Sequence, residues 1–201
     1  MNLKELCEQV AVYTDRRDDF VTITKNGVEM YDPDDDPGVW FEAMKTSINT
    51  AYREAARRLL MPDIRAAVTL GEGGSIDLLG MAPGVQTVKA VYSEDGSAAI
   101  GYDFETKYLI RIRGGKVGDK VLLQYHYVPD PLDKFTDEPV FPESLVDPMV
   151  YISLAVCDLW LLERKIDIAM QWQSKYYGML GSIKKDMRSA RDRRIRRAIF
   201  R

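Results

Sequence analysis

The 201-residue chain has little of the chemistry that builds catalytic and metal sites. It contains one histidine, His126, and two cysteines, Cys7 and Cys157. One histidine and two isolated cysteines are too few for a zinc cluster. Both cysteines stand in apolar helical patterns, which predicts buried free thiols and not a disulfide framework. We therefore expect no metal and no cofactor.

Long apolar runs are also absent. No stretch approaches the roughly 20 apolar residues that a membrane-spanning helix needs. Near the start of the chain, Leu3, Leu6 and Val10 recur at helical spacing between charged residues, a pattern unlike a secretory signal. We expect a protein that folds in a cytosol and has no membrane partner.

Charge of both signs is present but unevenly placed. The formal net charge is -3, which is too small to draw the whole chain to nucleic acid. The C-terminal arm, residues 188–201, is strongly basic, with Arg188, Arg191, Arg193, Arg194, Arg196, Arg197 and Arg201 against the single acid Asp192. The rest of the chain is acidic, so the molecule is bipolar.

The arm has two interpretations. Its arginines suit a polyanion or an acidic groove of another protein. Alternatively, the arm is a solvated continuation of the last helix. Its apolar residues Ile195, Ile199 and Phe200 favour a docking arm, because apolar side chains at a charged terminus gain little unless a partner buries them.

Hydrophobic periodicity changes twice along the chain. It is helical at first, alternates with period two in the middle and becomes helical again towards the end. This predicts an α+β fold in which helices from residues 1–62 and 142–187 form one bundle. A central antiparallel β module occupies residues 65–130. Together these parts make a single domain, residues 1–187, which the basic tail follows.

Two helices are predicted before the β module. The first covers residues 2–14, with Asn2 as its N-cap. An acidic segment, Asp32 to Gly38, contains two prolines and is expected to be an irregular exposed loop. The second helix ends before Pro62 and carries a continuous apolar stripe: Trp40, Phe41, Met44, Ile48, Tyr52, Ala55 and Leu59.

Five short runs predict strands in the β module. Clusters of glycine, serine and aspartate separate them, which is typical of tight turns between antiparallel strands. The runs are residues 67–70, 75–78, 85–92, 108–113 and 120–128. Gly71, Gly73 and Gly74 lie in one such turn and lack the flanking motif of a phosphate-binding loop.

Two further helices follow. Ser144 and Asp147 resemble a capping box at the start of the third helix, whose expected stripe is Leu145, Met149, Ile152, Val156, Leu159 and Trp160. The fourth helix is expected over residues 166–187 with the stripe Ile166, Met170, Tyr177, Leu180 and Ile183. Trp172 and Tyr176 fall off that stripe and belong either to a contact surface or to a wider buried face.

No motif in the chain positions a nucleophile beside a base. His126 lies in a predicted strand on the same face as Gln124, and no nucleophile elbow accompanies it. Asp32, Asp34 and Asp36 alternate as in a calcium loop, but Pro37 and Ala43 stand where such a loop needs glycine and glutamate. We therefore expect a solvated loop, a structural histidine and no enzyme activity.

The layout resembles the head-to-tail adaptor proteins, also called head-completion or connector proteins, of tailed double-stranded DNA phages. The likeness rests on the aromatic second helix with Tyr52-Arg53-Glu54-Ala55-Ala56, on Val128-Pro129-Asp130-Pro131-Leu132 after the last strand, and on Phe141-Pro142-Glu143-Ser144 before a helix. A final helix with Tyr176-Tyr177 and a basic tail completes it. The acidic segment at Asp32 has no counterpart in that family.

The resemblance implies a structural subunit of a ring of about twelve copies beneath the portal. It implies the portal protein and tail or neck proteins as partners, with DNA present only as the contents of the channel. The expected location is the head–tail junction of the virion, after assembly in the host cytoplasm. The arm, Arg188 to Arg201, would dock on the portal. The alternative is a DNA-binding or packaging accessory protein that contacts DNA through this arm.

Overall fold

The computed structural model describes residues 1–17, 22–25, 28–31, 37–59 and 62–199, and for residues 22–25, 28–31, 37–39 and 188–199 it describes the backbone alone. The fold is mixed α+β, with N- and C-terminal helices on either side of a central antiparallel β module along the chain, as predicted. It divides into two compact units, Met1–Ala55 with Asp130–Arg201, and Ala56–Pro129.

The helical unit begins with α1, Leu3–Tyr13. The side-chain oxygen of Asn2 accepts a hydrogen bond from the backbone of Glu5 at 2.9 Å, and the Glu5 carboxylate accepts one from the backbone of Asn2 at 2.9 Å. This reciprocal pair satisfies two donors that the helix itself leaves without partners. The predicted N-cap is confirmed. A hairpin follows, formed by β1, Thr22–Lys25, and β2, Val28–Tyr31.

Helix α2 spans Pro37–Leu59. The expectation that Pro37 and Gly38 belong to an irregular loop is therefore wrong. Proline is tolerated in the first helical turn because its missing N–H would have had no partner within the helix. The stripe predicted for this helix is buried at Phe41, Met44, Ile48, Tyr52, Ala55 and Leu59, and half-buried at Trp40.

Helix α3, Met149–Leu162, is the centre of the helical unit and is buried on nearly every side. The capping box predicted at Ser144 does not form. The helix begins later, and the Asp147 carboxylate accepts the backbone N–H of Met149 at 2.8 Å instead. Leu145 is exposed and Met149 is half-buried, whereas Ile152, Val156, Leu159 and Trp160 are buried as predicted.

Helix α4, Ile166–Ile199, corrects the stripe predicted for it. Ile166, Met170 and Tyr177 are exposed. The buried face carries Ala169, Tyr176 and Leu180 instead, with Trp172 and Ile183 half-buried. Two apolar stripes run along this helix, and periodicity alone does not reveal which of them meets the bundle.

Helix α4 also continues beyond the expected end at Met187. Its backbone remains helical through the arginine-rich sequence to Ile199. Phe200 and Arg201 lie outside the described residues. At a rise of 1.5 Å per residue, a helix of 34 residues is about 51 Å long. The arm is therefore joined to the bundle without a break in the backbone helix.

The β unit contains seven strands: β3, Asp63–Thr69; β4, Ser75–Asp77; β5, Val85–Ser93; β6, Ala99–Ile100; β7, Tyr102–Phe104; β8, Leu109–Ile112; and β9, Lys120–Tyr127. They form two antiparallel sheets, of order β3-β9-β5-β6 and β4-β8-β7. All five predicted runs overlap strands, while β6 and β7 were not predicted. One core joins both sheets and includes Leu70, Ile76, Val91, Ile110, Leu123 and Tyr125.

Glycine is required at the turn before β4. Gly73 and Gly74 have φ angles of 67° and 72°, which side chains rarely tolerate. A Cβ added to Gly74 would lie 2.4 Å from the carbonyl oxygen of Gly115. The interpretation of these residues as turn glycines is confirmed.

Candidate assembly surfaces

The arm predicted as a docking element is placed by its backbone only. Residues 188–199 form the last three turns of α4. The structure does not bring this segment together with another predicted site residue. The side chains of its arginines, and all of Phe200 and Arg201, lie outside the described part of the chain.

A segment that links the β module to α3 forms a strap across the helical unit. We define this strap as residues 130–148. Its backbone is held at Leu132 by Asn49 of α2: the Asn49 side-chain nitrogen donates to the Leu132 carbonyl at 2.9 Å, and its oxygen accepts the Leu132 N–H at 2.7 Å. A side-chain amide thus pairs with a backbone peptide as a neighbouring strand would.

The strap is also held by α1 and by its own turn. The Asp137 carbonyl accepts the backbone N–H of Leu3 at 2.8 Å. The Asp137 carboxylate accepts the N–H groups of Asp133 and Lys134 at 2.8 and 2.9 Å. Hydrogen bonds from the backbones of Lys134 and Asp133 hold the pKa of Asp137 below its usual range.

Three aromatic rings anchor the far end of the strap. Tyr52 of α2 packs edge-on against Phe141 of the strap and Tyr151 of α3, with ring centroids 5.7 and 5.6 Å apart. The Tyr52 hydroxyl accepts the backbone N–H of Val140 at 3.0 Å. Edge-to-face pairs of this kind contribute about 0.5–1.5 kcal/mol beyond the area that they bury. The strap therefore has a fixed course from Leu132 to the start of α3.

A cavity of about 360 Å³ lies where the strap meets α3. Its lining is rich in proline and apolar side chains and carries two carboxylates, from Met1, Glu138, Pro139, Val140, Phe141, Pro142, Glu143, Val146, Pro148 and Tyr151. Glu138 and Glu143 are exposed. The amino group of Met1 donates to Glu143. Among the described residues, Glu138 has no ion-pair partner.

Tyr151 is the one buried polar side chain in this lining. It is 1% exposed. Its hydroxyl has no hydrogen-bond partner among the residues that the structure describes, although buried polar groups nearly always have one. Burial raises the pKa of Tyr151, and the neighbouring Tyr52 adds to this shift. The hydroxyl is therefore neutral, and it is shielded from solvent.

A second unusual surface lies where α3 is followed by α4. We define the α3–α4 turn as residues 161–166, which include the last two residues of α3 and the first residue of α4. Leu162 and Ile166 are 63% and 58% exposed. Arg164, at the tip, is exposed and has φ 61°. Backbone hydrogen bonds hold this conformation, from Arg164 to the Leu161 carbonyl at 3.0 Å and from Lys165 to the Trp160 carbonyl at 2.9 Å. Apolar side chains thus flank an exposed guanidinium on a fixed turn.

An aromatic pair, whose rings are tilted by 57°, lies beside α4. Tyr13 of α1 and Trp172 of α4 have ring centroids 5.0 Å apart. The Lys175 ammonium lies 4.5 Å from the Trp172 centroid and 5.9 Å from that of Tyr13. Cation–π contacts at exposed sites contribute about 0.5–1 kcal/mol. Trp172 thus serves both of the roles left open for it, since it is half-buried and part of an exposed aromatic surface.

Arg16 connects the end of α1 to two other helices. Its guanidinium lies 3.7 Å from the ring centroid of Trp40 on α2 and 2.8 Å from a carboxylate oxygen of Glu163, just after α3. Burial opposes ionisation of Glu163, but hydrogen bonds from Arg16 and Lys165 keep its pKa below the usual range. The α3–α4 turn is therefore held in place on the side that faces the bundle.

His126 has charged neighbours within the β unit. It pairs across the strands with Asp63, whose carboxylate accepts hydrogen bonds from Lys89, at 3.0 Å, and from Gln124. Burial and the Lys89 charge lower the pKa of His126, while Asp63 acts in the opposite sense. The predicted polar face shared with Gln124 is confirmed, because Leu123 and Tyr125 on either side of Gln124 point into the core.

Other predictions concern thiols, metals and membranes. Cys7 and Cys157 are buried and free, as predicted, and burial raises the pKa of Cys7 to about 12. The acidic segment Asp32–Asp36 lies outside the described residues. Across the described ranges, no group of three or more histidine, cysteine or acidic side chains is placed to hold a metal ion. In the same ranges, no helix is both long and apolar enough to span a bilayer.

Sequence reasoning missed the strap and its cavity. Asn49, Tyr52 and Tyr151 fall within predicted helices, but no sequence pattern indicates their contacts with the strap or a role for Glu138. The available signal was indirect: three prolines between residues 139 and 148 exclude a helix or a central strand there. Proline content alone did not reveal which helix the segment would cross.

No protein-family model matches the chain, and no curated protein matches it either.

Proposed function

We propose that this protein is a structural subunit of the head–tail junction of a tailed double-stranded DNA phage. In this proposal about twelve copies form a ring beneath the portal and connect the DNA-filled head to tail or neck proteins. The subunit is assembled in the host cytoplasm and becomes part of the virion.

One observation carries the proposal beyond the resemblance in layout. Large apolar side chains are exposed together on the α3–α4 turn and the outer face of α4: Leu161, Leu162, Ile166, Met170 and Tyr177. Contiguous exposed apolar surface of this kind is typical of protein–protein contacts. In a permanent assembly, neighbouring subunits would cover this apolar surface.

The arm provides a second contact of different chemistry. Its seven arginines offer forked donors that pair with carboxylates in a bidentate manner. We propose that they dock in an acidic groove of the portal. Since α4 continues into the arm as one helix, the arm is carried away from the bundle along the helix axis.

Truncation after Met187 tests this proposal. The truncated protein should keep its unfolding midpoint, because the packed part of α4 ends earlier, at Leu180 and Ile183, and it should lose only the helical circular dichroism contributed by residues 188–199. It should no longer co-sediment with portal rings. Binding of the truncated protein to the portal at full strength would contradict the proposed role of the arm.

The arginine content also supports the alternative, a protein that contacts DNA directly. The affinity of such a protein for duplex DNA would fall steeply with salt, because each neutralised phosphate releases counterions. Adaptor function predicts weak DNA binding by the isolated subunit and a stable complex with the portal. Fluorescence anisotropy with labelled duplex at about 50 and about 200 mM salt separates the two functions.

A further inference from the structure

Two surfaces of the helical unit lie at opposite ends of one helix. The cavity adjoins the start of α3, where Pro148 and Tyr151 line it. The α3–α4 turn follows the other end, after Leu162. Residues 151 and 164 are separated by 13 positions, which corresponds to about 20 Å along a helix. A copy of the protein therefore cannot place its own turn in its own cavity.

The chemistry of the two surfaces is complementary. The cavity has apolar walls formed largely by prolines and Phe141, and an exposed carboxylate at Glu138. The turn presents Leu162 and Ile166 beside Arg164, whose guanidinium makes no ion pair within the described residues. A guanidinium can donate two parallel hydrogen bonds to one carboxylate.

We propose that the α3–α4 turn of one copy docks in the strap cavity of a second copy, with Arg164 pairing with Glu138. Leu162 packs against the proline walls. The inference rests on the proposed ring, for which it supplies the contact between neighbouring subunits.

The arrangement determines the symmetry of the assembly. The two sides of the contact are different surfaces, so an open chain of copies has one unused cavity at one end and one unused turn at the other until the chain closes. Such a heterologous contact produces a ring when the rotation between copies closes. The contact is small, and interfaces well below about 1,000 Å² are weak or transient. Ring formation is therefore expected at high local concentration, as on a portal template.

A disulfide trap tests the contact in the purified full-length protein. Glu138→Cys and Arg164→Cys are combined in one chain and oxidised mildly. The native thiols do not interfere, because Cys7 and Cys157 are buried. A disulfide needs Cα atoms about 4.4–6.8 Å apart. Glu138 lines the cavity at the start of α3 and Arg164 follows the end of α3, so the two new thiols of one copy cannot reach each other. We expect a ladder of covalent trimers and larger species on a non-reducing denaturing gel.

Matched controls define the result. Each single variant should give dimers at most, and Arg164→Cys combined with Asp130→Cys, an exposed acid outside the cavity lining, should give no ladder. If the Glu138/Arg164 variant has a native circular dichroism spectrum and reactive new thiols but forms nothing larger than a dimer, the proposed contact is wrong.

Charge reversal provides a test in the opposite direction. Arg164→Glu and Glu138→Lys should each reduce self-association measured by sedimentation at high concentration, whereas the double variant should regain it. Lys184→Glu, on the exposed part of α4, is the control. Neither experiment includes the portal or DNA. Portal docking is measured separately. If the contact is absent but the protein docks on the portal, only the inference is wrong. If the covalent ladder forms but the protein does not dock on the portal, the proposed function is wrong and the inference stands.

Discussion

The side-chain amide of Asn49 forms two hydrogen bonds with one residue of the strap, because its nitrogen donates to the carbonyl of Leu132 and its oxygen accepts the N–H of the same residue. Leu132 is 4% exposed, so water does not easily replace either bond. This one pair joins the middle of α2 to a segment more than 80 positions away along the chain.

Asn49→Ala should lower the free energy of unfolding by about 1–3 kcal/mol, because a backbone donor and acceptor at a buried residue lose their partners. Urea unfolding followed by circular dichroism measures the change. Thr50→Ala is the matched control, since Thr50 is exposed and its hydroxyl donates to the Thr46 carbonyl of its own helix. Equal stability of the two variants would show that the amide does not hold the strap.

Ile152→Asp should prevent folding, whereas Met170→Asp should not. Ile152 is 1% exposed in the centre of the helical unit, and Met170 is 61% exposed on α4. An unpaired carboxylate is strongly destabilising in the first position and solvated in the second. Soluble expression and thermal melting distinguish the two variants. A cooperative transition for Ile152→Asp at the wild-type temperature would refute the assigned core.

His126→Ala should leave portal docking unchanged and reduce the pH dependence of stability. The pKa of His126 is lowered by folding from an unfolded value of about 6.5. The unfolded chain therefore binds a proton first as pH falls, so the stability contributed by the neutral ring is complete above about pH 6.5 and is lost as pH falls through the folded pKa. Urea midpoints between about pH 8 and pH 5 should vary less in the variant.

Titration of Asp63 does not contribute to the pH dependence of stability in the range where His126 titrates. Burial raises the pKa of Asp63, but hydrogen bonds from Lys89 and Gln124 outweigh burial and keep the pKa below its usual range. Asp63 consequently stays ionised throughout the window in which His126 titrates. An unchanged pH profile for His126→Ala would mean that another group causes the dependence, and loss of portal docking by a folded variant would give this residue a functional role.

Replacement of Ile199 and Phe200 by serine, with every arginine retained, should weaken portal docking. Apolar anchors carry much of the binding energy at protein interfaces, while phosphate contacts do not need them. Pull-down with portal rings measures the loss, and Ala198→Ser in the same turn is the control. Undiminished docking would restrict the arm to a role based on charge.

The sequence was sufficient for the elements with a single, local pattern. The stripe of α2 and the alternation of β9 each have one face that the core can cover, so element and orientation follow together. The strands β6 and β7 were not predicted, because runs of two and three residues are too short to show a hydrophobic period. The predicted buried stripe of α4 is wrong because the exposed residues Ile166, Met170 and Tyr177 repeat at helical spacing, and the buried residues of this helix do so too.

The candidate cavity depends on contacts that no local pattern encodes. In the sequence, Asn49 and Tyr52 have only a helical pattern. Their hydrogen bonds to Leu132 and Val140 are visible only in the structure. The order of elements predicted neither pairing, because the strap has no regular structure with a period to detect. The proposed pairing of Glu138 with Arg164 likewise depends on the structure, because it requires the position of both ends of α3.

The glycines of α4 have a consequence for the stability of this helix. Gly178 and Gly181 lie within this helix, where an added Cβ would meet nothing within 4 Å, so packing inside the subunit does not require them. Glycine costs a helix interior about 1 kcal/mol relative to alanine, and these two occur within one turn at the end of the packed segment, on either side of the buried Leu180. The last packed turn of α4 therefore has a low intrinsic helix propensity, so that its helical form depends on the burial of Leu180 against the bundle, and the arm extends from this turn.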